Sequence, residues 1–285
     1  MILILIVIII LITLFLYSWH QIRKEVHHRF NRPEADYGIK LPTQTLNFKT
    51  SDGLNLDGWY VKAANPKAVL ILAHGHNPPG GKAHLLRTAK ALLDKRYSSF
   101  LIDFRAVSES EGNRSTMGIK EWMDLDAGID LMKTLTENKN IKLGLLGESG
   151  GAVTSIIAQA LTSKADFVIA ADPFASYKKM LSFRTTLHHF PKFLSIFPIL
   201  VANLEFGFGY SKYDPEKLIS KIKVPIFIAW ATRDKTIGTN QGEYLFKLAN
   251  EPKMGWESPT PHDVIDNSLG EFHEKLFEFL EKFVI

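Results

Sequence analysis

Apolar and polar residues alternate along TQTLNFKTS and LNLDGWYVKA, on either side of the turn Ser51-Asp52-Gly53. A period of two around a turn predicts a β-hairpin. Beyond it the pattern changes to nearly continuous apolar runs bounded by Gly, Asn or Asp: AVLILAHG (68–75), SSFLIDFR (98–105), KLGLLGES (142–149), DFVIAADPF (166–174) and PIFIAWATRD (225–234). Runs of this length predict strands covered on both faces. A shorter strand-like run, MGWES, follows later. Helical spacing lies between the runs, over 82–95, 115–136, 151–163, 239–250 and 267–283. Such alternation predicts an α/β fold with a parallel sheet between two helical layers. Residues 175–213 interrupt it. They are too long for a simple connection and carry their own apolar content, so they read as an insertion.

The first nineteen residues, MILILIVIIILITLFLYSW, hold no charge and only Thr13 and Ser18 as clearly polar side chains. As a helix they span roughly 28 Å, close to a bilayer's hydrocarbon core. Tyr17 and Trp19 fall where an interfacial aromatic belt belongs. A cleaved leader needs a basic start and a small-residue cleavage site, and neither is present. Uninterrupted all-round hydrophobicity also argues against a buried core helix. The expected organisation is a transmembrane anchor at 1–19, a basic juxtamembrane linker at 20–42 and the α/β domain at 43–285. Arg23, Lys24, Arg29 and Arg32 follow the span, and the positive-inside rule puts the body on the cytoplasmic side.

Composition narrows the chemistry. Residues 1–32 carry +3 of the chain's net +4, so the basic excess lies beside the apolar segment and not on a nucleic-acid docking face. The chain has no cysteine, which excludes disulfides, thiolate metal sites and a cysteine nucleophile.

The sharpest motif is Gly147-Glu148-Ser149-Gly150-Gly151, between a predicted strand and a small-residue helix. Glycines flank a serine where a strand turns abruptly into a helix, lifting the hydroxyl above the sheet edge as a nucleophile. The helix N-terminus behind it favours developing negative charge. Acyl transfer also needs two backbone N–H groups aimed at the oxyanion. Gly150 supplies one by position, and His76, in the loop His74-Gly75-His76-Asn77, supplies the other. His74 reads as a brace for that loop. Two histidines spaced one apart suggest a metal site, but no further ligand follows nearby, and no metal or cofactor is implied. Acid and base follow in chain order: Asp234 at the end of PIFIAWATRD, with Asp172 as the fallback acid, and His262 in the loop SPTPHDVI. His273 falls inside the last helix, too constrained to swing over the site. In this reading His262 takes the serine proton while Asp234 orients it.

These residues resemble the α/β-hydrolase superfamily over about residues 43–283, and in particular its membrane-anchored serine aminopeptidase-like and monoacylglycerol lipase-like members. The resemblance implies a mostly parallel eight-stranded sheet, helices on both faces, a small helical lid at about 175–213 and an N-terminal transmembrane helix. Those members carry Arg-Gly-His-Gly-x-Ser-x-Gly after the fourth strand. Here the stretch reads Arg105-Ala106-Val107-Ser108-Glu109-Ser110-Glu111-Gly112, which keeps Arg105, Ser110 and Gly112 and loses the Gly-His-Gly centre. In the next helix Asp124 and Asp126 lie two apart on different faces, as solvated or capping charges.

The insertion mixes Lys178, Lys179, Arg184 and Lys192 with Tyr177, Phe183, Phe190, Phe193 and Phe197, and residues 175–204 contain no acid. It reads either as a cap lining an acyl pocket or as a segment dipping into membrane lipid. Both favour a small-molecule or lipid acyl ester over a sugar or phosphate. The expected activity is hydrolysis of carboxylic esters or thioesters with an apolar acyl group. A peptide-cleaving hydrolase and a non-catalytic lipid-binding module are the alternatives.

Overall fold

The hairpin and the apolar runs become one eight-stranded sheet. The computed structural model describes residues 1–26, 38–76, 81–135, 138 and 140–285. Its strands are β1 (Thr43–Lys49), β2 (Asn55–Val61), β3 (Ala68–Ala73), β4 (Ser98–Ile102), β5 (Lys142–Glu148), β6 (Phe167–Ala171), β7 (Ile226–Ala231) and β8 (Lys253–Ser258). They lie in the order β1-β2-β4-β3-β5-β6-β7-β8. β1 and β2 pair antiparallel, β2 meets β4 antiparallel, and every later pairing is parallel. The order reverses at β3, so chain ends on both sides of the reversal open onto one edge, where ligands of such sheets bind.

The helices are α1 (Ile2–Val26), α2 (Leu86–Asp94), α3 (Trp122–Thr134), α4 (Gly150–Thr162), α5 (Tyr177–Leu187), α6 (Ile196–Phe206), α7 (Pro215–Leu218), α8 (Gln241–Leu248), α9 (Val264–Asn267) and α10 (Leu269–Phe283). On one face of the sheet, α2 and α10 pack Leu86, Leu92, Phe272 and Phe279 against Leu70, Leu72 and Phe227. On the other, α3 places Leu125 and Ile129 against Val69, Ile71 and Leu145, and α4 and α8 add Ile156 and Leu245. Consecutive residues of β3 therefore enter opposite cores, which is why its sequence is apolar without alternation.

Several elements depart from the sequence expectation. The helix expected over 115–136 starts only at Trp122, because Glu121 folds residues 115–118 into a loop. Its buried carboxylate accepts hydrogen bonds from Ser115 Oγ, Thr116 N, Thr116 Oγ1 and Gly118 N. Met117 and Gly118 have φ of +56° and +106°, outside helical geometry. Asp124 is not solvated. It is fully buried, and Arg105 grips it with Nη2 2.6 Å and Nε 3.0 Å from Oδ1. Arg105 Nη1 reaches Asp52 of the hairpin turn at 2.7 Å. Against the cost of burial, these two carboxylates raise the Arg105 pKa above its ordinary value. Asp126 is largely covered and meets Lys164 at 2.8 Å. In the altered loop, Ala106 (φ +62°) and Ser108 (φ +45°) occupy left-handed backbone where the related pattern has glycines, so the turn persists without them.

α1 is long and apolar enough to cross a membrane, with mean hydropathy 3.0 over eighteen residues, 6% of them buried. It runs past Trp19 to Val26, so the expected linker at 20–42 starts inside the helix. Arg29 and Arg32 lie outside the described residues. The last turns of α1 are not a free stalk. Ile22 and Val26 are buried with Met180 of α5, Val201 of α6 and Val153 of α4. The Val26 carbonyl accepts a hydrogen bond from Ser115 N, and Arg23 meets Glu205 of α6 at 3.6 Å. The insertion expected as a lid at 175–213 folds as α5, α6 and two short 3-10 turns.

Removing one partner of a buried ion pair strands the other charge. Asp124→Ala is expected to lower stability by about 3–5 kcal/mol, read as a fall in urea midpoint at unchanged m-value. Combining it with Arg105→Met should recover a large part of that loss.

Candidate active site

β5 runs into α4 with almost no turn between them. A Cβ on Gly147 would stand 2.2 Å from the Gly151 carbonyl oxygen, and one on Gly151 would stand 2.1 Å from the Ala73 carbonyl oxygen. Only glycine lets the backbones approach this closely. Ser149 between them takes φ +51° and ψ −113°, a strained conformation for a side chain of its kind. The turn projects its hydroxyl at the sheet edge.

His262, in the loop after β8, places Nε2 2.9 Å from Ser149 Oγ and Nδ1 2.5 Å from Asp234 Oδ2. Asp234 follows β7, and its Oδ1 accepts hydrogen bonds from Thr236 N (2.7 Å) and Ile237 N (2.9 Å). Three residues from three loops thus stand in line, each fixed by its own strand. Asp172, the fallback acid, does not hydrogen-bond the imidazole. Its oxygens accept from Ala231 N (2.8 Å) and Val264 N (2.7 Å), tying β7 to the start of α9. Asp172, Asp234 and His262 offer ligand atoms within 4.8 Å of one another. Every one of the four carboxylate oxygens, however, already accepts a hydrogen bond, so the set is built to hold an imidazole and a loop. His273 hydrogen-bonds Thr88 at 3.3 Å, away from Ser149.

His76 and Gly150 meet beside the serine. A Cβ on Gly150 would lie 3.0 Å from His76 N, and one on Gly75 would lie 3.4 Å from Ser149 Cβ. Asn77 lies outside the described residues. His74 braces the loop: Nδ1 lies 2.7 Å from the Gly75 carbonyl, and Nε2 accepts from Phe104 N at 3.2 Å. Burial lowers the pKa of both His74 and His76.

The His262 ring is balanced differently. Burial disfavours its charge, but the Asp234 hydrogen bond and the charges of Asp234, Asp172 and Asp263 outweigh that and raise it to about 9. Asp263 contributes from the serine side, with Oδ1 3.5 Å from Nε2. Burial pushes Asp172 up to about 7.

Four further residues make pairings that the sequence reading did not anticipate. Glu148, inside the elbow, places its buried carboxylate 3.0 Å from His84. Burial raises the Glu148 pKa. Arg184 of the lid meets Glu25 of α1 at 3.0 Å and donates from Nε to the Thr236 carbonyl at 3.2 Å. Residues 175–204, which contain no acid of their own, therefore do border a carboxylate, brought by α1. A faint signal was present: Ser18, Gln21 and Glu25 recur on one face of α1. Nothing local marks Arg184 or His84 as their partners.

No protein-family model matches the chain. It is 26% identical over 205 residues to uncharacterized protein YqkD of Bacillus subtilis, a match covering 70% of this chain and 66% of that protein. It is 29% identical over 147 residues to YNL320W of Saccharomyces cerevisiae, an uncharacterized membrane protein, covering 50% of each. The solved esterase Pf2001 of Pyrococcus furiosus superposes with a TM-score of 0.74 at 22% identity, over 90% of this chain and 98% of that one. With this sheet order and these structural neighbours, the chain has the α/β-hydrolase fold.

His262 titration is measurable without turnover. In Ser149→Ala, NMR of the His262 ring is expected to give a pKa near 9, and Asp263→Asn should lower it. The folded value lies above the roughly 6.5 of an unfolded histidine. The stability that His262 contributes is therefore complete below about pH 6.5 and is lost as pH rises through 9.

Proposed function

We propose that this protein is a membrane-anchored serine hydrolase that cleaves carboxylic esters or thioesters with an apolar acyl group. One observation carries the reading: Ser149 Oγ, His262 and Asp234 are connected by hydrogen bonds of 2.9 and 2.5 Å at a strained strand–helix elbow. Ser149 attacks the carbonyl carbon, and its proton passes to His262 Nε2. Asp234 holds the imidazole by Nδ1 and stabilises the imidazolium. The backbone N–H groups of His76 and Gly150 receive the oxyanion. His262 then protonates the leaving alkoxide or thiolate. Water, deprotonated by the same imidazole, releases the acid and restores the serine. α1 serves as the anchor, with the hydrolase body on the cytoplasmic side.

Lid residues Leu181, Phe190, Leu194 and Phe197 offer an apolar surface for the acyl group. The peptide-cleaving alternative finds one supporting group, the Glu25 carboxylate, as a site for a substrate amine. Arg184 at 3.0 Å already neutralises it, which favours the ester reading.

Incubation of the full chain with p-nitrophenyl esters of increasing length tests the proposal. Ser149→Ala is expected to lower kcat by about 10⁴-fold or more. The wild-type kcat/KM should rise with pH toward a plateau above about 9, as His262 loses its proton. Equal rates for wild type and Ser149→Ala would refute it.

A further inference from the structure

A cleft of about 170 Å³ lies between α1 and the lid. Its α1 wall recurs every three or four residues from Leu14 to Glu25, and Leu181, Phe190 and Phe197 form much of the lid wall. Its two ends differ. Outward, it borders the stretch of α1 that is exposed and uncharged from Met1 to Ile12. Along the later turns of α1 (Arg23 meets Glu205 of α6), the lid exposes Ile196, Leu200 and Leu204, spaced by four on α6, with Phe193 at 74% exposure just before them. This spacing makes one apolar stripe along the helix. An exposed apolar stripe continuous with a membrane-length helix is a surface for lipid.

Inward, the cleft ends on the Glu25–Arg184 pair. Arg184 bonds the Thr236 carbonyl, and Thr236 N bonds Asp234. The charges of Glu25 and Arg184 both act on the His76 ring. The inner end therefore abuts the loops that carry the acid and the expected oxyanion donor.

We propose that this cleft receives the alkyl chain of a membrane lipid ester directly from the bilayer, so that α1 is a wall of the substrate site as well as a tether. The inference rests on Ser149 being the acyl-accepting nucleophile. A chain lying in the cleft points outward along α1 while its ester reaches the inner end beside Ser149. Glu25 and Arg184 mark the boundary between the alkyl chain and the polar reaction centre.

The test uses the full chain in phosphatidylcholine–phosphatidylglycerol vesicles and two kinds of fluorophosphonate, one ethyl and one hexadecyl. The hexadecyl probe carries a diazirine either near its phosphorus or at the chain end. After Ser149 is labelled and the sample irradiated, crosslinks are mapped by mass spectrometry. The near diazirine should mark residues around Ile22, Glu25 and Arg184, and the terminal one residues around Leu14, Tyr17 and Phe190. Thr185→Trp, which fills the cleft, should lower the ratio of hexadecyl to ethyl labelling rates about tenfold or more. Terminal crosslinks in the body of the sheet domain, or an unchanged ratio with no crosslinks on α1, would overturn the pocket while leaving the hydrolase reading standing. Failure of both probes to label Ser149 would remove the hydrolase reading and the pocket with it.

Discussion

The close passage of α4 beneath the end of β3 sets the geometry of everything at the sheet edge. Side chains at Gly147 or Gly151 would collide with backbone at little more than 2 Å, so the chain reverses there without a loop. That reversal forces Ser149 into left-handed backbone, and the cost is met by the two cores that hold β5 and α4 from either side. With the serine fixed, the remaining partners need only the ends of neighbouring strands. Asp234 follows β7 and His262 follows β8, and parallel pairing brings both ends to the same edge.

Charge is arranged in layers around that point. Nearest the serine, His262 is surrounded by three carboxylates that favour its protonated form, against the penalty of burial. At the elbow, the buried Glu148 carboxylate meets His84, whose Nε2 also lies 3.7 Å from Asp266. Farther out, Arg105 joins the hairpin turn to α3 through Asp52 and Asp124. Lys82 similarly joins β2 to the end of β4 through Asp57 and Asp103. These outer pairs hold the strands that present the loops, and their loss is a matter of stability before chemistry.

Much of this was legible in the sequence, for a physical reason. Strands covered on both faces leave runs such as AVLILA and FIAWA, and an elbow leaves glycines around a serine. His262 and Asp234 were legible because chain order and strand ends restrict the candidates. What escaped was pairing between distant segments. Asp124 looks like any surface aspartate on a helix, and only the arrival of Arg105 from another loop makes burial tolerable. Glu25 and Arg184 are 159 residues apart, and neither has a local pattern that names the other. The expected helix over 115–136 failed at its start because one buried carboxylate, Glu121, outcompeted helical hydrogen bonding for residues 115–118.

The central claim, that Ser149 carries the acyl group between the two halves of the reaction, is tested most directly by acid quench within the first turnover of a slow ester. Mass spectrometry of the peptide containing Ser149 should then show the mass of the acyl group added at that residue, absent from Ser149→Ala. An ester consumed at full rate while Ser149 stays unmodified throughout would contradict the account.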